Sequence, residues 1–266
     1  MDIVNNFPLS RSGRNPLEVA TQAVKEAGEV LVKHFYSQKT ITRKGRGNLV
    51  TDVDTLSEKI ILDLLKNEYP EHNVLSEESN SFTTVTGYTW IVDPIDGTNN
   101  YVFGIPYFCV NVALVNNNDI VLGLTFDPVK KELFYAEKGK GAYLNGSSIH
   151  VSNVNLLKDS LLGFDLGYDD NHGKKMLEIT SKLRDKVHCL RLIGSPALGL
   201  AYVACGRITI YFQGNLYPWD IASGLLLIRE AGGMVVSWQG NQADFKDAKI
   251  IASNSLLYPQ LAGYFG

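Results

Sequence analysis

Two carboxylates stand three residues apart, Asp93 and Asp96, directly after the apolar run of residues 90–92. If both acids are buried together, each repels the other and raises the other's pKa. The sequence has no Lys or Arg between residues 75 and 100 to balance them. A divalent cation is the natural counter-charge, and ligands that are all oxygen favour Mg²⁺ over Zn²⁺. The spacing therefore predicts a magnesium site.

Three further acidic features also end apolar runs: Asp52 with Asp54, Glu77 with Glu78, and Asp220. Taken singly, each has a plainer interpretation. The first two acids are typical of a helix start, the glutamates of a solvated loop, and Asp220 of a helix N-cap. The repetition of the pattern in one chain favours a shared site.

The residues after the central acids add an anion-binding feature. A helix that begins at Gly97 would point free N–H groups at a phosphate, with the Thr98 hydroxyl beside them. Carboxylates for metal next to amides for an anion suit phosphate-ester hydrolysis. The sequence contains neither a GxSxG motif nor a Walker loop nor HExxH, which argues against serine hydrolases, P-loop enzymes and zinc proteases.

Bulk composition narrows the setting of such a site. The 266 residues carry a formal net charge of −3, so no overall field favours nucleic acid or an anionic membrane. The three cysteines are widely spaced and predict reduced thiols. The first residues lack the apolar segment of a signal peptide, and no apolar run is long enough to span a membrane. We therefore expect a cytoplasmic protein without membrane or nucleic-acid partners.

The elements that must position the acids differ between the two halves of the chain. Residues 17–36 and 52–70 show helical periodicity, and residues 88–152 alternate as strands between turn signals, which predicts an antiparallel sheet covered on one face by two helices. Beyond residue 153, strands and helices alternate, which predicts a three-layer α/β half. Ser195 is the expected N-cap of one of these helices. We expect halves 1–152 and 153–266 joined in one catalytic unit.

Four ordered segments resemble the inositol monophosphatase family of Mg²⁺-dependent, lithium-sensitive sugar phosphatases. "DPIDGTNNYVFGIPYF" and "PWDIASGLLLIREAGG" resemble its two signature segments, and "LVTDVD" and "VLSEES" resemble its flanking acidic segments. The resemblance runs from about Leu17 to the end of the chain. It implies the layered αβαβα fold of these phosphatases, an architecture of the α+β / α/β class with an α+β first half and an α/β second half, and a homodimer.

The resemblance also implies a ligand set for two to three Mg²⁺ ions. Glu77, Asp93 and the backbone carbonyl of Ile95 would hold the first ion. Asp93, Asp96 and Asp220 would hold the second, and a third, weaker ion would lie near Glu77. These assignments make Asp93 the ligand shared by both principal ions.

The implied reaction is direct hydrolysis of a phosphate ester by a metal-activated water, without a phosphoenzyme. Thr98, hydrogen-bonded to Asp54, would orient the water with help from Glu77, and the amides of Gly97 and Thr98 would hold the phosphate. The full implied set of substrate contacts is Asp96, Gly97, Thr98, Gly194, Ser195, Gln213 and Asp220.

The substrate wall departs from the family's pattern. Gln213 occupies the position of a usual Glu, Pro196 interrupts the expected Gly-Ser/Thr-Ala turn, and Tyr168 and Asp169 replace small polar residues. The reaction class is therefore defined more sharply than the substrate, which we expect to be a small polyol or sugar phosphate of the inositol-1-phosphate type.

Other family activities remain open. Fructose 1,6-bisphosphate would require a basic residue for its second phosphate, for which Arg191 and Arg207 are candidates. Histidinol phosphate is a further alternative substrate. The segment "DPIDGTNN" looks less like the branch of the family that acts on 3′-phosphoadenosine 5′-phosphate. Some relatives also bind the transcription machinery, which gives a regulatory binding partner as a hypothesis of another class.

Overall fold

The computed structural model describes residues 7–43, 45, 48–79 and 85–265. The described helices are α1 Pro16–His34, α2 Asp52–Glu68, α3 Thr98–Val102, α4 Asp170–Leu183, α5 Pro196–Ala204, α6 Pro218–Glu230 and α7 Tyr258–Leu261. Two short 3₁₀ turns lie at Leu157–Asp159 and Ala262–Tyr264. No helix among these described residues combines the length and apolarity needed to cross a membrane.

A seven-stranded sheet forms the first half of the molecule. Its strands lie side by side in chain order: β3 Asn73–Ser76, β4 Tyr88–Asp96, β5 Cys109–Asn116, β6 Asp119–Asp127, β7 Glu132–Glu137, β8 Ala142–Leu144 and β9 Ser147–Ile149. All neighbours from β4 onward are antiparallel, as the alternation predicts, whereas β3 runs parallel to β4. A separate ribbon pairs β1 Ile41–Arg43 with β2 Leu49–Thr51.

Two long helices cover one face of this sheet. Helix α1 begins with a capping box made by Asn15 and Glu18, and α2 begins with one made by Thr51 and Asp54. Their apolar faces pack on alternate residues of the strands, such as Trp90 in β4. The predicted helices and their common face are confirmed.

A five-stranded sheet forms the second half. Its order is β11 Cys189–Leu192, β10 Leu161–Phe164, β12 Ile210–Gly214, β14 Lys249–Ser253 and β13 Met234–Ser237. Strand β10 is parallel to both β11 and β12, whereas β14 is antiparallel to its neighbours β12 and β13. Helices α4 and α7 pack on its outer face around Phe212 and Ile251.

Helices α5 and α6 form the central layer between the two sheets. The core around them combines Ile91 and Phe134 of the first sheet with Tyr211 and Ile250 of the second. The layers therefore follow the order α1/α2, seven-stranded sheet, α5/α6, five-stranded sheet and α4/α7, which confirms the αβαβα fold. The three cysteines carry free thiols, also as predicted.

Candidate active site

A cavity of about 280 Å³ opens where β4 ends and where the central helices begin. Nine of the predicted site residues line it: Glu77, Asp93, Ile95, Asp96, Gly97, Thr98, Gly194, Gln213 and Asp220. Asp54 lies behind Thr98, and Ser195 lies behind Asp96. Among the described lining residues none is Lys or Arg, so the described part of the wall carries acid without a basic side chain.

Three carboxylates converge in this cavity. One oxygen each from Asp93, Asp96 and Asp220 lies within 4.8 Å of the other two. Strand β4 delivers the first two acids through an irregularity in its pairing with β5 between residues 93 and 96. Asp220 is the third residue of α6, which begins at Pro218, so the helix N-cap is Tyr217 and not Asp220. Its carboxylate accepts the Tyr217 N–H at 2.7 Å.

The first helical turn of α5 secures Asp96. Its Oδ2 accepts the Ala197 N–H at 3.0 Å, the Ser195 hydroxyl and, more weakly, the Cys109 thiol at 3.6 Å. Ser195 is the N-cap residue, as predicted, but its hydroxyl bonds Asp96 and makes no cap bond to its own helix. Since Ser195 is fully buried, its hydroxyl faces the acid, and its predicted substrate contact stays a prediction.

Burial and mutual repulsion disfavour ionisation of these acids. Burial, followed by repulsion from Glu77 and Asp96, raises the pKa of Asp93 well above its usual value. Burial also raises the pKa of Asp96 to about 7 against the opposing hydrogen bond from Ser195. The pKa of Asp220 is raised by burial and then by Asp96 and Glu77. The cluster thus lacks a counter-charge among the described side chains around it.

A divalent cation fits this donor set. All three converging groups are carboxylate oxygens, which hard ions prefer. Ligands on opposite sides of one Mg²⁺ lie about 4.2 Å apart, since each bond is about 2.1 Å long. The observed spread approaches this separation, and attraction to a bound cation would oppose the burial and repulsion that raise the pKa values.

Thr98 and Asp54 form the hydrogen-bonded pair that the resemblance implies. The Thr98 hydroxyl lies 3.1 Å from Asp54 Oδ1 and 2.9 Å from the Ile95 carbonyl oxygen. Its single hydrogen serves one acceptor at a time, and an ionised Asp54 is the stronger acceptor. Burial raises the pKa of Asp54 to about 6, against the lowering effect of hydrogen bonds from Thr51.

Gly97 places the Thr98–Asp54 pair next to the turn at Gly194, which is predicted to contact the substrate. It is the N-cap of α3 at φ 93°, a left-handed conformation that favours glycine. A Cβ here would meet the Tyr107 carbonyl oxygen at 3.0 Å and the Gly194 carbonyl oxygen at 3.1 Å. The Asn100 amide braces the same contact by donating to Tyr107 O at 2.8 Å and Gly194 O at 3.2 Å.

Gln213 belongs to a buried polar group that the sequence analysis missed. The Tyr211 hydroxyl is bonded to Gln213 Oε1 and lies 2.7 Å from Asp165 Oδ2. Asp165 also accepts the N–H groups of Ile193 at 2.9 Å and Gly194 at 2.5 Å. The missed signal was the apolar run of residues 161–164 ending in Asp165, the same pattern that identified the other acids.

Glu77 enters the cavity from the turn after β3. Its backbone N–H donates to the Val92 carbonyl at 3.2 Å, which ties the turn to β4. Glu58 of α2 holds the residues on both sides of Glu77. Its carboxylate accepts hydrogen bonds from the Ser76 hydroxyl, from the Ser79 hydroxyl at 2.8 Å and from the Ser79 N–H at 3.0 Å. Glu77 thus faces the aspartates and raises the pKa of Asp93.

The two candidate basic residues for a second phosphate lie elsewhere. Arg207 forms a two-pronged ion pair with Glu132 at 2.5 and 2.6 Å and stacks over Tyr202. Arg191 is exposed, and its guanidinium donates to the Leu190 carbonyl. Neither lines the cavity, so the structure gives neither residue a role there.

Comparisons with known proteins agree with this geometry. The sequence profile of the inositol monophosphatase family matches residues 14–265. The protein is 40% identical over 253 residues to an inositol monophosphatase of Dictyostelium discoideum, across 92% of this chain and 93% of that one. It is 37% identical over 236 residues to a Nus factor SuhB of Xylella fastidiosa, across 88% and 86%. A solved Thermotoga maritima IMPase matches at a TM-score of 0.86 and 32% identity, across 94% and 96%. The chain therefore belongs to the inositol monophosphatase family, whose members are phosphatases of phosphomonoesters.

Proposed function

We propose that the protein is a Mg²⁺-dependent phosphomonoesterase that hydrolyses a small polyol or sugar phosphate of the inositol-1-phosphate type. One observation carries this proposal: three carboxylates, two of them buried and the third half-buried, converge within 4.8 Å in a cavity whose described lining has no basic side chain. Such a cluster suits cation binding better than it suits structural stability, because closely spaced acids without a counter-charge are costly to bury.

The residues that would hold the cations are Asp93, Asp96 and Asp220, together with Glu77 and the Ile95 carbonyl. When bound, Mg²⁺ would lower the pKa of a water and neutralise phosphate charge. Two to three ions per site follow from the resemblance. The bond from Ile95 N–H to Asp93 Oδ1, at 3.0 Å, fixes the carboxylate that these ions would share.

Thr98 and Asp54 would orient the attacking water. With its hydrogen donated to Asp54, the Thr98 hydroxyl oxygen can accept a hydrogen bond from that water. Glu77, on the same cavity wall, would assist by accepting the proton. The N–H groups of Gly97 and Thr98 would hold the phosphate, at the start of α3.

The wall for the leaving group would be formed by Gly194 and Gln213, with Asp96 and Asp220 below and Ser195 behind Asp96. Gln213 is held by Tyr211, so it can present a hydrogen-bonding but uncharged group to a hydroxyl. The small cavity favours a compact ester. The absence of Lys and Arg from its described lining disfavours a bisphosphate such as fructose 1,6-bisphosphate.

A panel of four substrates tests this proposal. We expect Mg²⁺-dependent hydrolysis with kcat/KM for inositol 1-phosphate at least roughly tenfold above that for fructose 1,6-bisphosphate, histidinol phosphate and 3′-phosphoadenosine 5′-phosphate. Chelation with EDTA should stop turnover, excess Mg²⁺ should restore it, and Li⁺ should inhibit it. Preference for another ester would overturn the substrate proposal, and undiminished hydrolysis in EDTA would overturn the metal.

A regulatory binding role is a second candidate. The similarity to a relative named Nus factor SuhB supports it. Purified transcription complexes mixed with the protein would test it by gel filtration. Co-elution at micromolar concentration would support binding, and separate elution would leave the enzyme activity as the sole proposal.

We also propose a cytoplasmic homodimer, supported by the family resemblance and by the three free thiols. Sedimentation analysis should give a mass near twice the 29.4 kDa of one chain. Sedimentation as a single chain at micromolar concentration would contradict the dimer.

A further inference from the structure

A buried asparagine links the strand that carries Asp93 to the helix that carries Asp220. Asn111 of β5 is directly opposite Asp93 of β4 in the sheet register, so both side chains leave the same face of the sheet. It is 2% exposed. Its side chain reaches the first turn of α6, where the amide donates to the Trp219 carbonyl at 2.6 Å. Trp219 immediately precedes Asp220 in the chain.

The hydrogen bonds continue from Asn111 in a closed ring. Thr125 of β6 donates from its hydroxyl to Asn111 Oδ1 at 2.8 Å, and its oxygen lies 2.9 Å from the Ser223 hydroxyl. Because the single Thr125 hydrogen is used on Asn111, Ser223 must donate to Thr125. Ser223 lies one turn after Trp219 on α6, so the ring returns to the same face of the helix.

The ring leaves no freedom in the orientation of the Asn111 amide. Its nitrogen faces a carbonyl, which only accepts, and its oxygen faces a hydroxyl that donates. Asn111, Thr125, Ser223 and the Trp219 carbonyl are all satisfied within a buried layer. Moving α6 along or away from the sheet would break at least one of these bonds, and unsatisfied buried polar groups are costly.

We propose that Asn111 is a positioning residue that fixes Asp220 relative to Asp93 and thereby sets the affinity for the divalent cation. This inference depends on the proposed Mg²⁺ site. Asn111 donates its hydrogen bond to the peptide that precedes Asp220. It acts through the Trp219 peptide, as outer-shell partners of metal ligands commonly do.

The primary test is calorimetric titration of the full chain with Mg²⁺, without substrate. Asn111→Ala should weaken binding about 10- to 100-fold, as the loss of outer-shell partners typically does. Asn254→Ala is the matched control, because Asn254 is also buried and donates to the carbonyls of Ser152 and Val154, outside the cavity lining. It should lose comparable thermal stability and keep Mg²⁺ affinity within about twofold. Equal losses of affinity in both variants, or in neither, would overturn the inference.

A second pair of variants serves if Asn111→Ala does not fold. Thr125→Val removes the hydroxyl at nearly constant volume and leaves Asn111 Oδ1 without its donor, whereas Thr125→Ser keeps the hydroxyl. We expect weakened Mg²⁺ binding in the first and recovery in the second. Identical affinities would contradict the proposed ring.

The outcomes separate this inference from the proposed function. If the wild-type chain binds no Mg²⁺, the proposed function fails. If the wild type binds Mg²⁺ and Asn111→Ala binds equally well, only the positioning role fails. In turnover assays, the Asn111→Ala defect should shrink as Mg²⁺ is raised, while KM for the ester stays nearly constant.

Discussion

A single methyl group added under helix α6 should disturb the candidate metal site from a distance. Gly123 lies in the middle of β6, where the helix backbone comes very close. A Cβ at this position would meet Ser223 Cα at 2.8 Å and the Ser223 carbonyl oxygen at 2.9 Å. Because both atoms belong to backbone, no side-chain rotation relieves the contact. Gly123→Ala therefore forces the helix away from the sheet.

The size of the effect follows from these distances. To restore a separation of 3.4 Å, the helix must retreat by about 0.6 Å. Overpacking of this kind costs about 1–3 kcal/mol, which lowers Tm by roughly 2–12 °C in a chain of this size. Asp220 lies one turn before Ser223 and moves with it. Since Mg²⁺ demands near-ideal geometry, we expect its affinity to fall at least about tenfold.

Thermal melting and Mg²⁺ titration measure the two effects separately. Gly263→Ala is the control, because its added Cβ would meet no atom within 4 Å and its backbone is not in the left-handed region. This control should keep the wild-type Tm and Mg²⁺ affinity. Wild-type values of both quantities in Gly123→Ala would refute the close approach of helix and strand, and lost stability with intact affinity would refute its link to Asp220.

Three other predictions follow from the same geometry. Gly97→Ala should fold but lose at least about tenfold in kcat/KM, because its φ of 93° strains any side chain and the Cβ crowds the neighbouring carbonyls; wild-type kinetics would contradict this. Arg207→Ala should keep kcat/KM within about twofold and lower the free energy of unfolding by about 1 kcal/mol or less, since its ion pair is on the surface. A larger kinetic loss would indicate that Arg207 does act on the substrate. In EDTA, Tm should fall as pH rises from about 4 to 8. Burial raises the pKa of Asp54 and Asp165 to about 6 and that of Asp96 to about 7. The folded protein therefore binds more protons than the unfolded chain in that pH window. Mg²⁺ should flatten this dependence, and a Tm that rises with pH in EDTA would contradict it.

Most of the fold follows from local patterns in the sequence. The 3.6-residue period of residues 17–36 predicted α1, and Asn145-Gly146 marked the tight turn between β8 and β9, where both residues have positive φ. The period gave no sign that β3 is parallel to β4, because strand direction depends on distant pairing. It also missed β1 and α7, which are only three and four residues long. The division into halves at residue 152 stays a prediction.

The candidate site was predictable where residue type and spacing alone indicate the chemistry. Asp93, Asp96 and Asp220 are identifiable because buried acids at the ends of apolar runs are unusual, and the structure brings them together. The buried supports were not predictable, because Asn111 and Tyr211 stand within ordinary strand patterns. Their partners lie far along the chain, so only the packed layers reveal them.

The most direct test of the proposed function is Mg²⁺-dependent hydrolysis of inositol 1-phosphate by Asp93→Asn. This change keeps the size of the side chain and removes the charge that the cations would share. We expect turnover to be abolished and calorimetric Mg²⁺ binding to be lost, while the circular dichroism spectrum matches that of the wild type. Near-normal turnover with Mg²⁺ in the folded variant would contradict the assignment of this acidic cluster as the catalytic metal site.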